Sequence, residues 1–196
     1  IGEILQSRYM SNPIVVWEII WVNLTCNSEI CNWFTFNIAY GRTYQKSEVE
    51  MLMETTLDMY SSSVRKNALG SLQNAFVSSS LGEKLRVGVI TKVNNKPVFS
   101  RLPHNDISLV AVAYSLYRYA ERQKRYMLSV SEFYDENQKE GIYRQFGISR
   151  ETFEKLLLSL QEESNHVLRA ELNMGLDNII LREDLTSKDI LKLMLK

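Results

Sequence analysis

The chain has little cysteine, little histidine and almost no proline, and the scarcity of the first two closes off whole classes of protein. Two cysteines, Cys26 and Cys31, are too few for a disulfide framework and do not form a CxxC pair. They read as reduced thiols in a cytoplasmic protein. With His104 and His166 as the only histidines, far apart in sequence, no structural metal site is expected. A run of about twenty apolar residues is also missing, so no membrane span is predicted. The apolar stretch 14–24 is interrupted by Glu18 and Asn23, and it lacks the basic flank and cleavage site of a signal peptide. Net charge is absent as well: 23 basic and 23 acidic side chains cancel. That balance argues against a histone-like, purely electrostatic binder. No glycine-rich phosphate loop is present, and no serine–histidine arrangement is readable. The chain begins with Ile1 rather than Met, so an N-terminal part of the natural protein is expected to precede it.

What the chain does have is apolar residues in ordered patterns. A 45% hydrophobic content in 196 residues suffices for one large or two small cores. Asn12-Pro13 is a helix start, with Asn12 as cap and Pro13 at the first helical position. The helix that follows carries Val16, Trp17, Ile20, Trp21 and Leu24, is apolar nearly all round, and should be buried. Its Glu18 then needs a partner. Residues 30–40 continue with Trp33, Phe34 and Phe36. With no basic residue among them, these aromatics read as core before they read as a base-stacking platform.

The most informative stretch is 61–101. Ser61, Ser62 and Ser63 are each good helix caps. In the helix 63–76, Val64, Ala68, Leu69, Leu72, Ala75 and Phe76 share one face at 100° per residue. Lys66, Asn67, Gly70, Ser71, Gln73 and Asn74 share the other, which carries amides, a hydroxyl and a lysine but no acid. Such groups bond phosphates and base edges. An amphipathic helix, 47–60, precedes it. Two alternating runs, 86–93 and 97–102, follow it around Asn94-Asn95, a good tight-turn pair. Seven bases (Arg65, Lys66, Lys84, Arg86, Lys92, Lys96, Arg101) stand here against one acid, Glu83. This gives +6 in a chain of zero net charge.

The order then repeats. A turn and cap at 103–106 lead into a helix 107–122 with a basic end, and a short helix is expected at 129–137. A connection 141–147 precedes a helix 149–164. Strands 167–173 and 178–182 flank a turn at 174–177, and Thr186 or Ser187 caps a last helix, 188–196. Here seven bases meet nine acids from 149 to the chain end, leaving −2. That balance favours protein contact or self-association over DNA for the second unit.

The expected fold is therefore mainly α with small β-hairpins, an α+β chain of tandem winged helix-turn-helix units behind an N-terminal helical pair. The parts are 1–45 (helical segment), 46–103 (basic winged helix) and 104–196 (second winged helix with a C-terminal helix). In a winged helix the second helix lies in the major groove. The candidate DNA contacts are Arg65, Lys66, Asn67, Ser71, Gln73, Asn74, Lys92, Lys96 and Arg101. Arg65 falls inside the apolar arc, so it either reaches a phosphate or pairs with an acid such as Glu54.

The proline-led helix with Trp17 and Trp21, the run Asn32-Trp33-Phe34-Thr35-Phe36-Asn37, the basic Arg65-Lys66-Asn67 helix and the segment Leu176-Asp177-Asn178-Ile179-Ile180-Leu181-Arg182-Glu183-Asp184 together carry a likeness. The chain resembles the conserved domain encoded beside the sulfur-transfer enzymes of bacterial DNA phosphorothioation, whose member in single-strand (Ssp-type) operons is the DNA-nicking component. The resemblance implies double-stranded DNA as ligand, the system's sulfur-transfer and ATPase proteins as partners, anti-phage defence as context, and Mg²⁺ if the protein nicks DNA. The residues supply no catalytic set of their own. Asp177, Glu183 and Asp184 cluster in sequence, but a turn and an acidic loop explain them equally. A winged-helix transcriptional regulator and a protein-interaction scaffold remain the alternatives.

Overall fold

The computed structural model describes residues 2–8, 12–163, 166–173 and 175–195. After a first short helix, α1 (Gly2–Arg8), the helix α2 (Pro13–Asn27) starts as its sequence dictates: the Asn12 side chain accepts from the Val15 amide at 3.4 Å, and proline holds the first position. Trp21, Ile19 and Val22 on it are wholly buried, while Trp17 and Leu24 are half-buried against the same core. The next helix, α3 (Glu29–Asn37), turns away from α2 by 97°. Among the described residues no single helix is long and apolar enough to cross a membrane.

A short strand, β1 (Thr43–Gln45), was not legible in the sequence. It leads into α4 (Lys46–Thr56), α5 (Ser62–Ser78), the single turn α6 (Ser80–Glu83), β2 (Val89–Val93) and β3 (Lys96–Ser100). The three strands form an antiparallel sheet in the order β1-β3-β2, with Tyr44 opposite Phe99 and Ile90 opposite Phe99 on its other side. The β2–β3 hairpin turns on Asn94 and Asn95, whose φ angles of 50° and 61° are those of a tight turn that matches strand twist. Gly88 lets β2 pass under α5: a Cβ there would stand 2.3 Å from the Phe76 ring.

The second half repeats this order. It runs α7 (Leu109–Gln123), β4 (Met127–Ser129), a 3-10 turn (Ser131–Tyr134), α8 (Ile142–Phe146), α9 (Arg150–Glu163), β5 (Leu168–Glu171), β6 (Asn178–Leu181) and α10 (Ser187–Met194). Its sheet order, β4-β6-β5, is again first, third, second. Four local expectations are corrected. The cap of α7 is Ser108, whose hydroxyl accepts from the Ala111 amide, not the 103–106 turn. The expected helix 129–137 is a strand end followed by one 3-10 turn. The stretch 141–147 is the helix α8 rather than a connection. The last helix carries one of its two expected caps, Thr186, but ends at Met194. The expected turn at 174–177 includes Met174, which lies outside the described residues, as does the expected end of the last helix at Lys196.

The chain is α+β, mostly helical, with two small antiparallel three-stranded sheets. One continuous apolar cluster runs through both halves. Three buried polar groups join them. Glu18, wholly buried, receives His104 Nε2 at 2.7 Å together with the amide and hydroxyl of Ser108. The Gln145 side chain bonds Ser115 on α7 and Thr25 on α2, and its carbonyl accepts from Trp21 Nε1 at 2.8 Å. Arg101, at the foot of β3, reaches α8 as well. Because β1 belongs to the sheet of β2 and β3, the range 1–45 shares a sheet with 46–103.

Candidate nucleic-acid interface

The surface singled out by charge is built on α5 and the β2–β3 hairpin. Helix α5 begins at Ser61, whose hydroxyl accepts from the Val64 amide. Leu69, Leu72 and Phe76 bury its apolar stripe, while Val64, at the start, remains 49% exposed. Lys66, Asn67, Ser71 and Asn74 are exposed and Gln73 is half-buried, so the polar face is available to a ligand along the helix. No acid occurs between Ser62 and Ser78. On its α4 side the helix borders a cleft of about 210 Å³ lined by Glu50 and Glu54 as well as Lys66, so the positive surface lies on the outer ridge.

Arg65 is turned inward. Its guanidinium donates to the carbonyls of Leu57 and Tyr60 and lies 3.8 Å from the Glu54 carboxylate. It therefore closes the α4–α5 turn, the second of its two expected roles. Lys92 and Lys96 are exposed on either side of the Asn94-Asn95 turn, and the exposed Val93 sits between Lys92 and that turn, opposite Lys96.

Arg101 is a correction. Expected on the DNA face, it is wholly buried. Its Nε donates to Val87 O at 3.1 Å, one terminal nitrogen donates to Thr35 O and Ile38 O, and the other donates to the Tyr40 hydroxyl and to carbonyls of Arg144 and Gln145. The Tyr40 ring lies 4.0 Å from the guanidinium carbon. Burial pushes the Tyr40 phenol up to about 12, and the same burial lowers the arginine from its ordinary value. Nothing local announces this: Arg101 ends an alternating run, and its acceptors come from segments far from it in the chain.

Counter-charge separates the two halves. Among the described residues Lys66, Arg86, Lys92 and Lys96 have no carboxylate partner, and in that stretch only Lys84 and Arg65 lie near one. In the second half more of the cations have a carboxylate beside them, although among the described residues Lys124, Lys139 and Lys188 have none. Arg150 pairs with Glu154 at 2.8 Å and approaches Asp177 at 3.8 Å, Lys155 pairs with Glu151, Arg169 with Glu171, Arg182 with Asp184, and Lys192 with Asp189. Helix α9, which corresponds in order to α5, exposes Glu151, Lys155, Leu158, Glu162 and Glu163.

Of the three acids that cluster in sequence, Asp177 and Asp184 already have partners. Asp177 accepts from the amide and hydroxyl of Ser131, and the hydroxyl above all holds its carboxyl below the usual aspartate range. Asp184 is held low in the same way by Arg182. Among the described residues no three His, Cys, Asp or Glu side chains come together as a metal site. Cys26 and Cys31 are free thiols whose acidity is suppressed by burial. Comparison of the chain with protein-family models, with curated proteins and with solved structures finds no match.

Proposed function

We propose that this chain binds double-stranded DNA through its first half, as a DNA-binding component of a bacterial DNA phosphorothioation modification or defence system. In this reading both halves are winged helix-turn-helix units. Helices α4 and α5 are the helix-turn-helix pair of the first, α5 enters the major groove, and the β2–β3 hairpin is the wing. One observation carries the reading. A helix with an acid-free face of Lys66, Asn67, Ser71 and Asn74 packs against a hairpin whose Lys92 and Lys96 have no carboxylate partner among the described residues. The repeated first-third-second strand order supports it.

The lysines supply sequence-independent affinity by displacing counterions from phosphates. Asn67 and Asn74, with Ser71, supply hydrogen bonds to base edges, worth about 1–3 kcal/mol of discrimination for a well-placed bidentate pair. Binding of a mixed-sequence duplex, followed by fluorescence anisotropy across a salt series, tests the reading. The combined Lys66→Ala, Lys92→Ala, Lys96→Ala variant should lower the slope of log affinity against log salt by roughly three while leaving the melting temperature in place. An unchanged slope and affinity would remove the basis for DNA binding. Nicking rests on the family resemblance alone. Conversion of supercoiled plasmid to open circles in added Mg²⁺ tests it, and separates a nicking component from a regulator that binds without cutting.

The second half favours a different partner. The cations of α9 are internally paired and its face exposes Leu158 among acids, which suits protein contact better than a polyanion.

A further inference from the structure

Between α6 and β2 the chain passes through Leu85, Arg86, Val87 and Gly88, and the backbone there is pinned at every step. The Leu85 amide donates to Ser80 O at 2.9 Å, the Val87 amide to Leu81 O at 3.1 Å, and the Leu102 amide to Arg86 O at 3.1 Å, while Arg101 Nε holds Val87 O. Leu85 and Val87 are wholly buried. Arg86, between them, has a φ of 56°, a left-handed conformation that glycine or asparagine ordinarily fills. Its side chain is exposed and makes no hydrogen bond, ion pair or ring contact within the described chain. The nearest acid in sequence, Glu83, pairs with Lys84 at 3.1 Å. The side chain thus makes no polar contact within the described fold, and its backbone holds a conformation that a residue with a Cβ adopts at a cost. Strain retained at an exposed position with no structural partner points to a ligand.

Building on the DNA-binding reading above, we propose that Arg86 is a fixed phosphate-contacting residue, held by its left-handed backbone between the α5 face and the wing so that its guanidinium meets the DNA backbone between those two contacts. A planar guanidinium suits a phosphate because it can offer two parallel N–H donors. The pinned backbone fixes where the side chain leaves the surface, so less freedom is lost when the contact forms.

The test measures stability and binding in the same variants, using the full chain and a short mixed-sequence DNA duplex. Arg86→Gly should leave the melting temperature unchanged or raise it by about 1–4 °C, because the left-handed strain is removed. The same variant should bind DNA more weakly, with a salt slope lower by about 0.9. Arg86→Lys, which keeps the charge, should keep most of the slope. A purely structural arginine would move the other way, losing stability on substitution, and a lower melting temperature for Arg86→Gly would overturn the proposal. So would undiminished affinity and slope in Arg86→Gly while the Lys66, Lys92, Lys96 triple variant loses both, and that outcome leaves the DNA-binding reading standing. If neither variant changes binding, the reading itself falls and the proposal with it.

Discussion

The two halves of the molecule share one plan and differ in what their charges do. Each runs helix, strand, helix, helix and hairpin, and each closes its sheet in the same strand order. In the first half Lys66, Arg86, Lys92 and Lys96 stand without counter-ions, whereas in the second Arg150, Lys155, Arg169 and Arg182 each sit beside a carboxylate of their own neighbourhood. Exposed pairs of the latter kind add little stability, about 0–1 kcal/mol each. Their larger effect is to cancel a field. A common backbone plan therefore carries cations without carboxylate partners on α5 and the β2–β3 hairpin of one half, and cations paired with acids two to four positions away on α9 and the β5–β6 region of the other.

The largest expected effect concerns what the halves share. Trp21 is wholly buried, packs edge-on to Phe76 of the first half at 5.9 Å, and donates to Gln145 of the second. Trp21→Ala should cost roughly 3–5 kcal/mol and loosen both halves together. Hydrogen exchange resolved by segment would read this; protection lost in one half alone would break the picture of a common core.

A smaller effect sharpens the charge contrast. Lys66→Ala should lower the salt slope of DNA binding by about one, and Lys155→Ala in α9 should leave it unchanged. Equal losses measured by anisotropy would mean that both halves grip DNA, and the contrast would dissolve.

The smallest effect is a pH dependence confined to the second half. The Ser131 hydroxyl and amide hold the Asp177 carboxyl below its ordinary value. A lowered folded value stabilises above the ordinary aspartate pKa of about 3.9 and is lost as pH falls through the lowered value. Ser131→Ala should therefore melt below the wild type at neutral pH, and the two should converge in acid. A gap that stays constant down the pH series would show that the Ser131 contact does not depend on the Asp177 charge.

Much of the first half was legible because its signals are local. The Asn12-Pro13 start, the serine cap of α5, its apolar stripe and the Asn94-Asn95 turn each depend on neighbours within a few residues, and each appears in place. Glu18 was legible in a weaker sense: burial demanded a partner, but nothing named His104 and Ser108. The failures are long-range. Three-residue strands such as β1 and β4 are too short to alternate visibly and exist only because β3 and β6 pair with them. Helix α8 is a single turn bounded by Gly141 and Gly147, which the sequence displays as loop punctuation. Arg101 looks like a surface cation until the carbonyls of α3 and α8 close around it. Arg86 shows the converse, since no neighbour in sequence announces a left-handed backbone.

The cage around Arg101 bears on how the chain can be dissected. Its acceptors come from the end of α3, from Tyr40, from the segment before β2 and from α8, so one guanidinium gathers strands of chain from both sides of the 103/104 boundary. A fragment ending at residue 103 would strip away the Arg144 and Gln145 carbonyls, the Trp21 acceptor and the Glu18 partners in one cut. Modules that look separable by their repeated plan are in this respect a single foldable piece, and the face proposed to bind DNA can be studied only with the second half attached.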